Sequence, residues 1–323
     1  MNILVTGGCG FIGSHFINYF FNKYDCTIVC LDALYYCASV NNVDEDIRNN
    51  PRYKMIHGNL NDYKLIVEIL TQNNITHIVH YAAQSHVDNS FNESLQYTED
   101  NVKGTHTLLE AIKNTSLDII LLHFSTDEVY GESMIGSDVM KTETSILSPT
   151  NPYAASKAAA EMYVMSYIHS FNLKAIITRG NNVYGKNQYP EKLIPKFIEL
   201  LKKGGKCTIH GSGSTVRNFI HVDDVSSAVD IIIHRGSIGS IYNIGGDPSN
   251  EYSVIEVAIM LIKYIHGIED TIDTISSDSL DHYITFVPDR PFNDKRYFIS
   301  NDKLRELGWV QKIDFINGLK NMI

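Results

Sequence analysis

Residues 3–13 read ILVTGGCGFIG, a short apolar run followed at once by four closely spaced glycines. The apolar run has the length and the branched side chains of a buried strand, and Phe11–Asn22 has the pattern of a helix. Glycine at this junction permits a tight turn at Gly7, close approach of a ligand to the backbone at Gly10, and close packing of the helix on the strand at Gly13. The stretch therefore predicts the opening strand, turn and helix of an α/β sheet.

The same alternation of strand and helix continues along the chain. Further strands are predicted at Thr27–Asp32, His77–Ala82, Ile119–Ser125, Ala175–Arg179 and Ile241–Gly245, and further helices at Lys64–Gln72, Val102–Lys113, Pro152–Phe171, Lys192–Lys203, Asp223–His234 and Ser253–Ile265. Right-handed crossovers turn this order into a doubly wound parallel sheet with helices on both faces. We expect a Rossmann-type α/β domain over residues 1–180, to which segments near 219–246 return. Residues 181–323 should form mainly a smaller, C-terminal α/β domain that binds the substrate.

The composition argues against several classes of protein. The net charge of −10 makes nucleic acid an unfavourable partner, because an acidic surface repels phosphate. The five cysteines form no Cys-x-x-Cys pair and the chain has no His-Glu-x-x-His stretch, so we predict neither a disulfide framework nor a metal site. Apolar runs stay shorter than the roughly 20 residues that span a bilayer, and the first residues lack the basic start of a signal peptide. We therefore expect a cytoplasmic protein that does not bind membranes.

An acidic residue strengthens the glycine signal. Asp32 ends the second predicted strand, about 20 residues after the glycines, where a carboxylate usually holds the ribose hydroxyls of a dinucleotide. The glycine turn stands at the start of a helix, whose free N–H groups and dipole attract a pyrophosphate. A carboxylate at Asp32 would repel a 2′-phosphate, so the pattern predicts NAD rather than NADP as the cofactor.

Tyr153 and Lys157 form a Tyr-x-x-x-Lys pair near the start of a predicted helix. Spacing of i, i+4 places both side chains on one face of the helix. An unperturbed tyrosine has a pKa of about 10, which is too high for a base at neutral pH, and a neighbouring ammonium group lowers that pKa. The pair could then remove a hydroxyl proton while hydride leaves the same carbon. The alternative is an ordinary amphipathic helix with an exposed lysine.

The segment Ser125–Gly131 follows another predicted strand and contains the adjacent acids Asp127 and Glu128. The carboxyl ends of strands are the places where ligands bind in open α/β sheets. Two carboxyl groups at such a place can act as a general acid and a general base if their environments separate their pKa values. The alternative is a solvated acidic turn, which the two acids alone would favour.

Together, these motifs resemble the extended short-chain dehydrogenase/reductase family, and within it the nucleotide-sugar 4,6-dehydratases that act on dTDP-glucose or UDP-glucose. The resemblance covers nearly the whole chain and is carried by Thr6–Ser14, Ala82–Asp88, Ser125–Gly131, Asn151–Lys157, Arg179–Gly185, Pro190–Pro195 and Asp289–Pro291. Arg179–Gly185 and Arg290–Asp294 look closest to eukaryotic UDP-rhamnose synthases, which favours UDP-glucose. The chain departs from the common bacterial pattern at Cys9, Asn59, Asn89 and Lys186.

The resemblance implies a lyase that converts an NDP-glucose to an NDP-4-keto-6-deoxyglucose, a step towards deoxysugars such as rhamnose. Tyr153 would take the proton of the C4 hydroxyl, Glu128 would take the C5 proton, and Asp127 would protonate the departing C6 hydroxyl. Thr126 would hydrogen-bond the reacting hydroxyl, and Lys157 would hold the nicotinamide ribose. The implied cofactor-binding residues are Gly7, Gly10, Phe11, Ile12, Gly13, Asp32, Asn59, Leu60, Ala82, Ala83, Tyr153 and Lys157. The implied substrate-binding residues are His86, Thr126, Asn182, Lys192, Leu193, Arg217 and Arg290.

The resemblance also implies a homodimer, because members of the family typically pair through two helices of each subunit. The matching helices here lie near Leu95–Lys113 and Pro152–Phe171. Two other functions remain open. A nucleotide-sugar 4-epimerase would interconvert sugars without loss of water, and a non-catalytic protein would bind NAD without turnover. Non-catalytic relatives often lose the Tyr-x-x-x-Lys pair, which this chain retains.

Overall fold

A seven-stranded sheet forms the centre of the protein. The computed structural model describes residues 1–268, 281–289 and 294–323. Its strands are β1 (Asn2–Thr6), β2 (Thr27–Asp32), β3 (Tyr53–His57), β4 (His77–His80), β5 (Ile120–Thr126), β6 (Ala175–Gly180), β7 (Asn182–Tyr184), β8 (Cys207–His210), β9 (Val216–His221), β10 (Ile241–Ile244), β11 (Glu251–Ser253) and β12 (Ile284–Val287). Its helices are α1 (Phe11–Lys23), α2 (Glu45–Arg48), α3 (Tyr63–Gln72), α4 (Val87–Asn92), α5 (Ser94–Tyr97), α6 (Gly104–Asn114), α7 (Pro152–Phe171), α8 (Leu193–Lys202), α9 (Val222–Arg235), α10 (Val254–His266), α11 (Asp302–Glu306) and α12 (Phe315–Lys320).

The central sheet has the order β10-β6-β5-β4-β1-β2-β3, and every neighbouring pair in it is parallel. The order reverses at β1, because the chain first moves outwards to β2 and β3 and then crosses back to β4. Such a reversal leaves a crevice at the carboxyl ends of the strands. The arrangement confirms the predicted Rossmann-type doubly wound sheet.

Apolar side chains of the helices cover both faces of this sheet. On one face, Phe16 and Phe20 of α1 pack with Val225 and Val229 of α9 in one fully buried cluster. On the other face, helices α3, α6 and α7 contribute the second cluster, which includes Leu108. Burial on both faces explains why the strands are nearly continuous in Ile, Leu and Val.

The C-terminal half supplies two smaller sheets. One has the order β11-β9-β7, and the other pairs β12 with β8. Helices α8, α10 and α12 pack on them around a separate apolar cluster that includes Phe197, Leu261 and Phe315. Between these elements, β10 returns to pair with β6 in the central sheet. None of the helices in the described ranges is long and apolar enough to cross a membrane.

The predicted elements differ from the structure in several places: the strands β3, β7, β8, β9, β11 and β12 were not predicted, and one helix begins later than expected. The segment of β3 shows neither strict alternation nor a long apolar run, and only its first residue, Tyr53, is buried, because β3 is an edge strand with a single neighbour. The predicted helix from residue 102 begins instead at Gly104 and follows a π-helical turn at Thr98–Lys103. Within that turn, the buried Asn101 donates to the carbonyl of Gln84 and accepts from its N–H.

Candidate active site

A cavity of about 370 Å³ opens along the carboxyl ends of the central strands and continues to the smaller sheets. This volume lies in the range of about 300–1,000 Å³ that small-molecule sites occupy. The predicted site residues in its wall are Gly7, Gly10, Phe11, Ile12, Gly13, Asp32, Asn59, Leu60, Ala82, Ala83, Thr126, Asp127, Glu128, Tyr153, Lys157, Asn182, Lys192 and Leu193. The structure therefore brings together residues that are up to 186 positions apart, from Gly7 to Leu193.

The glycine turn has the geometry that a phosphate group requires. Gly7 has φ +69°, and a Cβ atom there would lie 2.6 Å from the backbone nitrogen of Ala82. A Cβ atom on Gly13 would lie 2.4 Å from the carbonyl oxygen of Gly7, so the helix reaches the strand only because residue 13 lacks a side chain. Gly10 caps α1, whose first residues face the cavity. The turn can therefore present N–H groups and the positive helix end to a pyrophosphate.

Asp32 is held in place at the end of β2. Its two carboxylate oxygens accept the backbone N–H groups of Cys9 at 2.9 Å and Leu34 at 2.8 Å. Burial raises the pKa of Asp32, and the two backbone donors act in the opposite direction. Each oxygen keeps a further lone pair, so the carboxylate can accept the hydroxyl groups of a ribose.

Asn59 extends this end of the cavity. Its amide donates to the hydroxyl of Tyr35 at 3.1 Å, and its carbonyl oxygen accepts the N–H of Asn61 at 2.8 Å. Tyr35 also lines the cavity, although it belongs to none of the sequence motifs. The aromatic ring and the adjacent side chain of Leu60 provide an apolar wall beside the polar Asn59, which suits an adenine ring.

Asp127 and Glu128 stand in a 3-10 turn directly after β5. The Thr126 hydroxyl lies 3.3 Å from one oxygen of Asp127 and accepts the N–H of Glu128. Asp127 is 2% exposed, and burial together with the neighbouring charge of Glu128 raises its pKa well above the ordinary value. Burial also raises the pKa of Glu128, while a hydrogen bond from Asn151 at 3.1 Å acts in the opposite direction. The pair is therefore not a solvated acidic turn.

Tyr153 and Lys157 lie in the first two turns of α7, where Asn151 caps the helix and Pro152 occupies its first position. Both side chains line the cavity and are almost fully buried. The Lys157 ammonium donates to the carbonyl oxygen of Phe124 at 2.8 Å, and burial lowers the pKa of Lys157 to about 8.

The predicted lowering of the Tyr153 pKa is wrong for this structure. Burial raises the pKa of Tyr153, the charge of Glu128 adds to the increase, and a hydrogen bond with Thr126 opposes it. Burial therefore outweighs the effect expected from Lys157, whose hydrogen bond goes to the Phe124 carbonyl. Ionisation of Tyr153 therefore requires stabilisation of the phenolate by a ligand bound in the cavity.

The residues predicted to bind substrate divide into three groups. Thr126, Asn182, Lys192 and Leu193 line the cavity, and the Lys192 ammonium donates to the carbonyl oxygen of Ser85 at 2.8 Å. His86 and Arg217 are not among the cavity-lining residues of the described structure. Arg290 lies outside the described residues.

The two residues beside the cavity have different surroundings. One imidazole nitrogen of His86 lies 3.7 Å from Glu191, and the other lies 3.9 Å from Asp88. The expected position of His86 in the sugar pocket is therefore not found, because its ring is directed at these acids. The Arg217 guanidinium lies over the ring of Tyr297, 4.9 Å from its centroid, and acts electrostatically on Glu128.

Three polar residues around Glu128 were missed by the sequence analysis as site residues. Asn151 has a local signal, since Asn before Pro marks the start of a helix. Tyr297 and Asp294 have no local sequence signal that distinguishes them from other buried polar residues. The Tyr297 hydroxyl lies 3.4 Å from Glu128 and 2.5 Å from Asp294, and the first contact spans 169 positions.

Comparison with known proteins agrees with this geometry. The family model described as GDP-mannose 4,6 dehydratase matches residues 4–322. The trifunctional UDP-glucose 4,6-dehydratase/UDP-4-keto-6-deoxy-D-glucose 3,5-epimerase/UDP-4-keto-L-rhamnose-reductase RHM2 of Arabidopsis thaliana is 46% identical over 320 residues, which cover 99% of this chain. The chain spans only 46% of the length of that relative.

Two further proteins match along most of their own length. The dTDP-D-glucose 4,6-dehydratase of Homo sapiens is 42% identical over 322 residues, which cover 99% of this chain and 88% of the relative. A crystal structure of DesIV, a dTDP-glucose 4,6-dehydratase from Streptomyces venezuelae with NAD and TYD bound, is similar with a TM-score of 0.90 and 35% identity. The match covers 99% of this chain and 95% of the DesIV chain. The chain therefore belongs to the GDP-mannose 4,6-dehydratase family.

Proposed function

We propose that the protein is an NAD-dependent nucleotide-sugar 4,6-dehydratase that converts an NDP-glucose to an NDP-4-keto-6-deoxyglucose. The observation that carries the proposal is the presence of the buried Asp127 and the partly buried Glu128 in the same cavity wall as Tyr153 and Lys157. An oxidoreduction at one carbon needs only the Tyr153 and Lys157 pair. Two additional carboxyl groups at the cavity supply the proton transfers that loss of water requires.

The dinucleotide would occupy the half of the cavity that contains the glycine turn. The N–H groups at Gly10 and the start of α1 would hold its pyrophosphate, and Asp32 would accept the hydroxyls of its adenosine ribose. Bound NAD would supply the acceptor for the C4 hydride and later return that hydride to C6. NAD-bound DesIV supports this assignment, because its fold is shared along the whole chain.

The two acids have environments that suit opposite roles. Asp127 has one oxygen, Oδ2, without a hydrogen-bond partner among the described residues, and its burial beside Glu128 favours the protonated form. Burial raises the pKa of Glu128 too, but the hydrogen bond from Asn151 and the positive charge of Lys192 favour its ionised form, and neither acts on Asp127; Arg217 acts on both acids. Different environments of this kind assign the proton donor and the base within a pair. Asp127 would therefore protonate the C6 hydroxyl, and Glu128 would remove the C5 proton.

The remaining residues would orient the sugar nucleotide. Tyr153 would take the proton of the C4 hydroxyl, with Thr126 hydrogen-bonded to both. The cations Lys192 and Arg217, together with the amide of Asn182, would hold the diphosphate. Arg217 would do so from beside the cavity wall, where its guanidinium rests on Tyr297.

One assay tests the proposed activity. The purified protein is incubated separately with UDP-glucose and with dTDP-glucose in the presence of NAD, and the product masses are read. We expect a product lighter by one water molecule with at least one of the two substrates. A product of unchanged mass with inverted C4 would instead identify a 4-epimerase, and bound NAD without turnover would identify a non-catalytic protein.

We also propose that two copies pair through α5, α6 and α7. Apolar side chains are exposed on this surface, including Leu95 at 84% and Met162 at 47%. Such a patch is costly in water and is commonly covered by a partner. Sedimentation should give the mass of two chains, and Leu95→Glu combined with Met162→Glu should give the mass of one.

A further inference from the structure

The hydroxyl group of Tyr297 lies between two carboxyl groups, the buried Asp294 and the partly buried Glu128. It is 2.5 Å from Asp294 Oδ2 and 3.4 Å from Glu128 Oε2. Asp294 is 3% exposed and Tyr297 is 5% exposed, so neither contact is a surface interaction. The hydroxyl of Thr150 donates to the same oxygen of Asp294 at 2.7 Å. Asp294 is thereby fixed from two sides and is not itself in the cavity wall.

A tyrosine hydroxyl has one hydrogen to donate, although its oxygen can also accept. The distances place that hydrogen towards Asp294, because this contact is the shorter of the two. While Glu128 is ionised, it is held mainly by the amide of Asn151. Once Glu128 carries a proton, its own hydroxyl has an acceptor in the oxygen of Tyr297. The Tyr297 oxygen can therefore accept a hydrogen bond from Glu128 only when Glu128 is protonated.

We propose that Tyr297, anchored by Asp294, is a positioning residue that accepts a hydrogen bond from Glu128 after Glu128 has taken the C5 proton of the sugar. The inference rests on the proposed dehydratase function. In that step the C5–H bond breaks and an O–H bond forms on Glu128. The electron pair forms the C5–C6 double bond, and the C6 hydroxyl leaves as water with the proton of Asp127. Glu128 later returns its proton to C5, so it must keep its orientation between the two transfers.

Other charges around Glu128 must be considered in any pH dependence. The ionisable groups that act on Glu128 or respond to it are Asp127, Tyr153, Lys192, Arg217, Asp294 and Tyr297. The cations and the Asn151 amide favour the carboxylate, whereas the charge of Asp294 and burial raise the pKa of Glu128. Removing the charge of Asp294 should therefore lower that pKa.

The variant Tyr297→Phe is a clean probe because it removes only the hydroxyl. The ring that supports the Arg217 guanidinium is retained, so binding of the diphosphate should be preserved. A matched control is Tyr242→Phe, which also removes the hydroxyl of a buried tyrosine. Tyr242 lies in β10, and its hydroxyl accepts the N–H of Ser237. Thermal unfolding of both variants shows whether their stability falls by a similar amount.

Single-turnover kinetics separate the two early steps. Reduced cofactor reports C4 oxidation, and product mass reports loss of water. For Tyr297→Phe we expect C4 oxidation within about twofold of the unmodified protein and loss of water slowed about tenfold, the effect of one hydrogen bond to a charged or neutralised carboxyl group. The KM should stay unchanged. Tyr242→Phe should change neither step.

The pH profile provides the second readout. In Tyr297→Phe the acid form of Glu128 loses its acceptor, and in Asp294→Asn it loses the neighbouring negative charge. Both changes lower the pKa of Glu128, so the acidic limb of the dehydration rate should move to lower pH. Asp294→Asn also serves if Tyr297→Phe does not fold.

Three results would be decisive. Equal slowing of both steps with an unmoved acidic limb would show a purely structural role and overturn the inference. Loss of water at the normal rate in both variants would also overturn it, while leaving the dehydratase function intact. An unmodified protein that does not release water from either NDP-glucose would refute the proposed function itself, and the inference with it.

Discussion

Arg179 of β6 and Glu161 of α7 form an ion pair that is closed to solvent. The guanidinium meets both carboxylate oxygens, with its shortest contact at 2.6 Å, and the two side chains are 2% and 0% exposed. The same guanidinium donates to the hydroxyl of Tyr130 at 2.8 Å. Because Tyr153 is on α7, this pair fixes a helix of the active site to the central sheet.

Removing one partner of this pair should destabilise the protein strongly. Glu161→Ala leaves a buried guanidinium without its carboxylate, which costs about 3–5 kcal/mol. The ion pair between Lys174, which precedes β6, and Asp118, which precedes β5, is a matched control. Its side chains are 47% and 77% exposed. Asp118→Ala should cost less than about 1 kcal/mol. Urea unfolding measures both changes, and similar losses for the two variants would contradict the expected effect of burial.

The glycine turn allows a second matched comparison. Gly7 and Gly204 have nearly the same backbone angle, with φ +69° and φ +71°, but a Cβ atom meets the backbone of Ala82 only at Gly7. Both Gly7→Ala and Gly204→Ala pay about 1 kcal/mol of backbone strain. Only Gly7→Ala must also displace the turn, so its affinity for NAD should fall at least about tenfold. Calorimetric titration with NAD tests this, and equal affinity in the two variants would show that the turn tolerates a side chain.

The order of the central elements could be predicted because its signals are local. A run of branched residues, a glycine turn and the acid at Asp32 all lie within one strand–helix–strand unit. The Tyr153 and Lys157 pair is local in the same sense, since four residues of helix place both on one face. Their position in the cavity could be inferred because the carboxyl ends of parallel strands lie at the same edge of the sheet, where ligands bind.

The remaining site depends on tertiary contacts that no short pattern encodes. The Tyr297 hydroxyl reaches Glu128 across 169 positions. His86 was expected in the sugar pocket, yet its ring lies against Glu191, which follows it by more than one hundred residues. The raised pKa of Tyr153 has the same origin, because burial is a property of the assembled fold.

Glu128→Gln should separate oxidation from dehydration. The amide keeps the size of the side chain and its contact with Asn151, but it cannot remove the C5 proton. Reduced cofactor should therefore form at close to the normal rate, while release of water slows at least about a hundredfold. Tyr153→Phe should show the reverse pattern, with substrate bound and little reduced cofactor formed. Near-normal product formation by Glu128→Gln would refute its assignment as the C5 base.

Lys157 should reduce the stability of the free protein. Burial lowers its pKa from 10.5 to about 8, which corresponds to about 3 kcal/mol against the charged form. At pH 7 the folded and the unfolded chains both carry this proton, so the full cost of burying the charge is present. Between about pH 8 and 10.5 the unfolded chain keeps the proton and the folded chain releases it, so stability rises with pH in that window.

Lys157→Met removes the buried charge and also the hydrogen bond to Phe124, whose loss costs about 1 kcal/mol. We therefore expect this variant to be more stable at pH 7 by about 2 kcal/mol while product formation is lost. The advantage should shrink as the pH rises above 8. Unfolding in urea at pH 7 and near pH 10, on protein freed of nucleotide, measures both effects. A variant that is less stable than the unmodified protein at pH 7 would show that the ammonium contributes more through its contacts than its burial costs.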